Sequence, residues 1–352
     1  MENRGKLSIF TCDAGKPFFN RVLNELQKIN KKYFGKSGKL NIHTPQTIET
    51  KFANGEIKTE IKDYIRGNDV YIIQEFDSPK LNNKNSLHDN IMALLTAVDA
   101  ARNADADSIT AVIPQFPYSK HEKTSKREGI AARLIASMLE DAGIDRVLTL
   151  DIHEKAIQGF FNKSKLDNMY ASREFIKYIK KSKPNYDDMV VVAHDLGAAE
   201  VARYYASELK VDMAIVRAYT RSSETDDKLE FQLVGEVTGK HVVMVKDMIS
   251  TGNTIFKAID ILLEKGALSV ELYTSMPFFN KEAHLKFETY YKEKKIKRVV
   301  GTDAVFWGQD FIKKYEWYEE VSIASLFAEV IFHINHKLSV AELLYNKDKE
   351  NI

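Results

Sequence analysis

Short β-branched runs alternating with amphipathic helical stretches are the feature that most constrains this chain. The runs are VYIIQEF (70–76), SITAVIPQF (108–116), RVLTLDIH (146–153), DMVVVAHD (188–195), DMAIVRAY (212–219), HVVMVKD (241–247), SVELYTSM (269–276) and RVVGTDAVF (298–306). Between them lie helical patterns at 87–104, 130–143, 173–183, 198–210 and 252–265, and a strongly amphipathic one follows at 324–337. Near-continuous apolar strands separated by helices call for a parallel sheet covered on both faces, so the fold class is α/β. At 352 residues, the chain is expected to hold two domains of roughly 150 residues each.

Composition narrows the function classes. Lys and Arg number 51 and Asp and Glu 50, a net charge of +1 that excludes a strongly basic nucleic-acid binder and an acidic disordered tail. A single cysteine, Cys12, excludes an intrachain disulfide framework and a multi-thiolate zinc site. No apolar run approaches the ~18 residues that span a bilayer. The N-terminal MENRGKLSIF passes from polar residues into a strand-like run with no signal-peptide core. The expectation is a cytoplasmic, globular enzyme without nucleic-acid or membrane partners.

Rhythm pauses at NKSKLDNMY (162–170), where a domain boundary is placed. A second polar stretch, TRSSETDDKLEFQ (220–232), lacks periodicity between two strong strands and reads as a long loop of functional length. The Lys-rich segment 281–298 reads as a solvated helix face. Each half carries a strand, a polar turn and a helix in the same order, which points to a duplicated α/β domain.

In an open parallel sheet, ligands gather where strand ends lead into helices. Four such turns are unusually polar. In VVMVKDMISTGNTIFKAIDIL, the strand ends at Lys246-Asp247, and Ser250-Thr251-Gly252-Asn253-Thr254 opens a helix. Small residues and a helix N-terminus make a phosphate cradle, with Asp247 placed to accept hydrogen bonds from sugar hydroxyls. The same turn also reads as a helix capped by Ser or Thr. In VVVAHDLGAAEVARYYASEL, Asp195 suits a sugar hydroxyl, a metal-bound water or a plain N-cap. In RVLTLDIHEKAIQGFF, Asp151 and His153 lie two apart at a strand end and are expected to project the same way. His153 suits a metal or a phosphate, or is structural. In VIPQFPYSKHEKTSKREGIAARLIA, Pro114 and Pro117 stop the strand. Lys120, His121, Lys123, Lys126 and Arg127 then form a basic loop suited to a polyphosphate or merely solvated. Walker A, paired-glycine dinucleotide and HExxH signatures are missing, which argues against a P-loop NTPase, a dinucleotide dehydrogenase and a zincin.

At these turns, and along FANGEIKTEIKDYIRGNDVYIIQEF, HDNIMALLTAVDAARNADADSITAVIPQFPYSK and VSIASLFAEVIFHINHKLSVAELL, the chain resembles the ribose-phosphate pyrophosphokinases nearly end to end. The resemblance implies two phosphoribosyltransferase-like α/β domains related by duplication, with residues 1–165 completed by the tail 322–352, and 166–321 as the second domain. It implies transfer of diphosphate from ATP to ribose 5-phosphate with Mg²⁺. Phe52, Asn54 and Glu56 match the segment that reaches ATP from a neighbouring subunit, which implies a homo-oligomer, dimer or hexamer. Tyr118, Lys120, His121 and Glu122 fall on the ATP loop, where the family usually shows Arg, Gln and Asp at the last three positions. His153 and Asp195 match metal-associated positions. Asp195, Asp247 and Ser250, Thr251, Gly252, Asn253 and Thr254 match the ribose 5-phosphate site, with Lys246 and Ser250 standing where the family has aspartates. The catalytic loop departs furthest. A Lys-Arg-Arg-like run is replaced by Arg217-Ala218-Tyr219-Thr220-Arg221 followed by acidic residues, so Arg217 and Arg221 are the candidate catalytic cations, with Lys228 as an alternative. Three readings follow: an active diphosphokinase, a regulatory or binding subunit that keeps the fold, and a phosphoribosyltransferase, against which the whole-length match speaks.

Overall fold

The computed structural model describes residues 4–34, 42–77, 85–124, 126–182, 188–222 and 227–344. The described chain divides into two compact units. The first runs to Tyr170 and takes in Asp303–Phe306 and the chain from Ile323. The second holds Ala171–Thr302 and Trp307–Ser322.

The first unit contains β1 (Leu7–Thr11), α1 (Lys16–Phe34), β2 (Thr47–Lys51), β3 (Ile57–Ile61), β4 (Asp69–Ile73), α2 (Leu87–Asn103), β5 (Ser108–Val112), α3 (Ala131–Ala142), β6 (Arg146–Leu150) and β7 (Lys165–Met169). Five strands form a parallel sheet in the order β1-β4-β5-β6-β7, while β2 and β3 pair as an antiparallel hairpin. Every residue of β4 and β6 is buried, as strands covered on both faces require. The pause at 162–170 is therefore not a structureless stretch. KLDNM makes β7, an edge strand whose single neighbour, β6, leaves it free to be polar, and Arg146 pairs with Asp167 across that edge.

The second unit contains α4 (Ser172–Ser182), β8 (Met189–Ala193), α5 (Ala199–Leu209), β9 (Asp212–Ser222), β10 (Asp227–Val234), β11 (His241–Ile249), α6 (Asn253–Glu264), β12 (Ser269–Pro277), α7 (Ala283–Lys292), β13 (Arg298–Thr302), α8 (Gln309–Lys314) and β14 (Tyr318–Val321). Its sheet runs β10-β9-β8-β11-β12-β13-β14, parallel throughout except for β10 against β9. The expectation of parallel α/β sheets thus holds in both units. The long loop expected at 220–232 does not. β9 continues to Ser222 and β10 opens at Asp227, with Glu224 and Asp226 outside the described residues. Lys228-Leu229-Glu230-Phe231-Gln232-Leu233 alternates with period two, the signature of a half-buried strand, which the surrounding charges masked. In α7 the Lys-rich segment exposes its charges, while Ala283, Phe287 and Tyr290 pack inward.

The chain then returns to the first unit as α9 (Ala324–Asn335) and α10 (Ala341–Leu344). Phe327 of α9 meets Phe18 of α1 edge-on at 5.2 Å, and Phe332 stacks on Tyr33 at 4.9 Å. Buried Asp303 accepts from Arg21 of α1 at 2.6 Å and from the Ile323 N–H at 2.8 Å, anchoring the head of α9. Asn335 at its other end donates to Asp69 at 2.9 Å. No helix among the described residues is long and apolar enough to cross a membrane.

Candidate active site

The polar turns identified in the sequence all sit at carboxyl ends of parallel strands, and they fall into two groups, one in each unit.

In the second unit, β8 and β11 are adjacent and paired up to Ala193↔Val245. His194-Asp195, just past the end of β8, are thereby brought beside Lys246-Asp247, which still belong to β11 and its pairing with β12. Asp195 Oδ1 accepts from the Ala198 N–H at 2.9 Å, capping the short 3₁₀ turn Leu196–Ala198. Its Oδ2 lies 2.9 Å from Lys246 Nζ and 3.0 Å from His194 Nδ1. Lys246 Nζ is also 3.2 Å from Asp247 Oδ1, so one ammonium bridges two carboxylates. Partial burial alone would raise the Asp195 pKa, but the contacts to His194 and Lys246 outweigh it and hold the carboxyl well below the usual range.

Four residues further on, the chain turns through Ser250–Gly252 into α6. The N-cap is Gly252, at φ +73°, with no side-chain cap bond. The reading of this turn as a helix capped by Ser or Thr therefore fails. In sequence the small residues of this turn suit a backbone that wraps a ligand. The tightest constraint, however, is internal: a Cβ on Gly252 would stand 2.8 Å from the Phe256 ring. Thr251 is half-buried, Asn253 and Thr254 are exposed, and Asn280 Nδ2 donates to Ser250 Oγ at 3.1 Å. Asn280 was missed in the sequence. It lies among Phe279, Lys281 and Glu282, all with positive φ, a run of left-handed residues that no local composition signal marks.

Arg217 is exposed on β9, opposite Gln232 of β10, two residues past the last β9–β8 pair, Ile215↔Ala193. It thus stands where the β9–β10 ribbon leaves the sheet. Arg221 is further out on β9, and its side chain is outside the described residues.

In the first unit, Leu150 N–H bonds to Pro114 O, so the loops after β5 and β6 leave the same sheet edge side by side. Tyr118 adopts φ +58°, its hydroxyl 2.7 Å from His88 Nε2 on α2, and its ring 5.8 Å from that of His121. The Tyr118 O to His121 N–H bond closes the turn, and the Ala132 N–H bonds back to His121 O. Lys120 and His121 are exposed, whereas the Glu122 side chain is 7% exposed and ion-paired with Lys123 at 3.5 Å. His153 is exposed after β6, but it does not continue the strand. β6 ends at Leu150 and Asp151 turns at φ +38°, so strand alternation no longer relates Asp151 to His153. Phe52, Asn54 and Glu56 lie together on the β2–β3 turn, all exposed. The Phe52 N–H to Glu56 O bond and the Glu56 N–H to Asn54 Oδ1 bond at 3.2 Å shape it.

A glycine-capped helix head beside two carboxylates bridged by Lys246, at the carboxyl end of a parallel sheet, is the setting in which a phosphoribosyltransferase-type module would bind its ligand. Comparison agrees. The pattern of the phosphoribosyl transferase domain matches residues 166–315, and that of the N-terminal domain of ribose phosphate pyrophosphokinase matches residues 7–143. A ribose-phosphate pyrophosphokinase of Wolinella succinogenes is 35% identical over 306 residues, 86% of this chain and 92% of its own length. One of Porphyromonas gingivalis is 32% identical over 347 residues, covering 98% of this chain and all of its own. The crystal structure of phosphoribosylpyrophosphate synthetase from Mycobacterium smegmatis superposes with a TM-score of 0.78 at 30% identity, covering 94% of this chain and 98% of its own. The chain belongs to the ribose-phosphate pyrophosphokinase family.

Proposed function

We propose that the chain is a ribose-phosphate diphosphokinase. It transfers the β,γ-diphosphoryl group of ATP to the anomeric hydroxyl of ribose 5-phosphate, giving phosphoribosyl pyrophosphate and AMP for nucleotide synthesis in the cytoplasm. The observation that carries this reading is the Ser250–Thr254 turn at the head of α6, whose N-cap has no side chain to compete for a phosphate. The 5-phosphate is assigned to Thr251–Thr254, and the sugar hydroxyls to Asp195 and Asp247.

ATP is assigned to the Tyr118–Glu122 loop, with Phe52, Asn54 and Glu56 supplied by a neighbouring copy in a homo-oligomer. In phosphoryl transfer the protein acts by positioning the groups and stabilising spread negative charge. Arg217, exposed at the root of the β9–β10 ribbon, is the cation proposed for that role, with Arg221 beyond it on the same strand. Mg²⁺, when bound with ATP, would neutralise phosphate charge, and one or two protein groups would suffice to hold it. Among the described residues no group of three or more His, Cys, Asp or Glu is arranged to hold a metal. His153, exposed at the sheet edge, fits a contact to the metal-bound phosphates. Asp195 does not fit a direct ligand, because its oxygens already face Ala198 N–H, His194 and Lys246.

The test is AMP formation from ATP and ribose 5-phosphate with Mg²⁺, for wild type and Arg217→Ala. A charge acting mainly in the transition state lowers turnover more than affinity, so the variant should lose about 10²-fold in kcat with little change in ATP binding. Wild-type protein that binds ATP yet forms no AMP would leave the binding-subunit reading in its place.

A further inference from the structure

The ammonium of Lys246 is placed where a cation would otherwise be recruited. It reaches Asp195 Oδ2, on the turn after β8, at 2.9 Å and Asp247 Oδ1, its neighbour within β11, at 3.2 Å. Its side chain is only 16% exposed, so the charge is fixed in place rather than swinging in solvent. We infer that Lys246 is a built-in cation of the sugar site: it does for Asp195 and Asp247 what a divalent ion would do, and ribose 5-phosphate binds this half of the site without metal. The inference rests on the assignment of ribose 5-phosphate to this turn.

Two carboxylates beside a phosphate turn would repel an incoming sugar phosphate dianion. An ammonium shared between them removes much of that repulsion and leaves carboxylate oxygens as acceptors for sugar hydroxyls. A Mg²⁺ ion at the same place would need carboxylate oxygens at about 2.0–2.1 Å. It would therefore have to displace Nζ from Oδ2 and stand against a like charge a few ångströms away. The site is thus charged for the sugar and closed to the metal. Lys246 acts through the two aspartates and is a positioning residue.

Calorimetric titration of ribose 5-phosphate into the full chain, in EDTA and in Mg²⁺, tests this directly. The wild-type Kd should change by less than about threefold between the two buffers. Lys246→Met should bind the sugar phosphate about tenfold or more weakly in EDTA and regain affinity in Mg²⁺, while Lys246→Arg should stay metal-independent. Mn²⁺ binding followed by electron paramagnetic resonance, without any substrate, gives a second readout: Lys246→Met should gain a Mn²⁺ site that wild type lacks. Wild-type binding that vanishes in EDTA and returns with Mg²⁺ would overturn the inference, as would equal Mn²⁺ binding by wild type and Lys246→Met. If wild type takes up no sugar phosphate in either buffer, the ribose 5-phosphate assignment fails, and the Mn²⁺ comparison alone decides the role of Lys246. Should Lys246→Met fail to fold, the wild-type comparison in the two buffers still decides.

Discussion

Gly252 is held by the fold at the head of α6, where the ribose 5-phosphate is proposed to bind. At φ +73° any other residue pays about 1–2 kcal/mol for the left-handed backbone. A Cβ would also meet the Phe256 ring at 2.8 Å, and that ring cannot easily yield, since it packs on Phe287 at 4.6 Å and on Tyr290 at 4.7 Å. Gly252→Ala should therefore lower Tm by a few degrees and weaken ribose 5-phosphate binding about tenfold or more. Gly239 is a matched control, at φ +69° with open space around its would-be Cβ. Gly239→Ala should show the backbone cost in a thermal melt and leave sugar phosphate binding unchanged. Equal losses of binding in the two variants would show that the Gly252 turn does not touch the phosphate.

At the scale of the element, α2 is held at its head by a reciprocal pair. Ser86 Oγ accepts from the Asp89 N–H at 3.2 Å, and Asp89 Oδ2 accepts from the Ser86 N–H at 2.7 Å, with Lys51 of β2 adding an ion pair at 2.8 Å. Ser86→Ala should cost about 1 kcal/mol in denaturant unfolding. The hydrogen bond to Lys51, followed by those to Ser86, holds the Asp89 pKa down at about 2. A carboxyl depressed in the folded state stabilises above its unfolded pKa, about 3.9, and loses that contribution as pH falls through the folded value. Asp89→Asn should therefore melt below wild type at neutral pH, with the gap closing as pH drops from about 4 towards 2. A gap that persists undiminished across that range would show that the carboxylate charge is not what holds the helix head. In the β9–β10 ribbon the alternation of Leu229, Phe231 and Leu233 is masked in sequence by the charges around it, and the pairing to β9 is a nonlocal fact.

At the scale of the whole molecule, the β2–β3 turn stands out. Phe52 is 48% exposed and Asn54 and Glu56 are also exposed, although residues of this kind match the ATP-contacting segment in the resemblance. The proposed ATP site sets this turn against a second copy. Light scattering at assay concentrations should show an oligomer, and Phe52→Ala should raise KM for ATP while leaving ribose 5-phosphate affinity unchanged. A monomer of full activity would remove the shared ATP site.

The sequence by itself determined the α/β class, nearly every buried strand, the four polar turns and the family, because those rest on local periodicity and on ordered motifs. It also placed Asp195, Asp247 and the Ser250–Thr254 turn at strand ends. What it left open needed the sheet order. Lys246 reads in sequence only as a lost carboxylate; pairing β8 beside β11 turns it into the partner of Asp195, 51 residues away. The choice between a Ser or Thr cap and a bare glycine cap at α6 depended on backbone angles that no composition encodes. The edge strand β7 likewise became visible only against β6, since KLDNM is polar and carries no hydrophobic signature of its own.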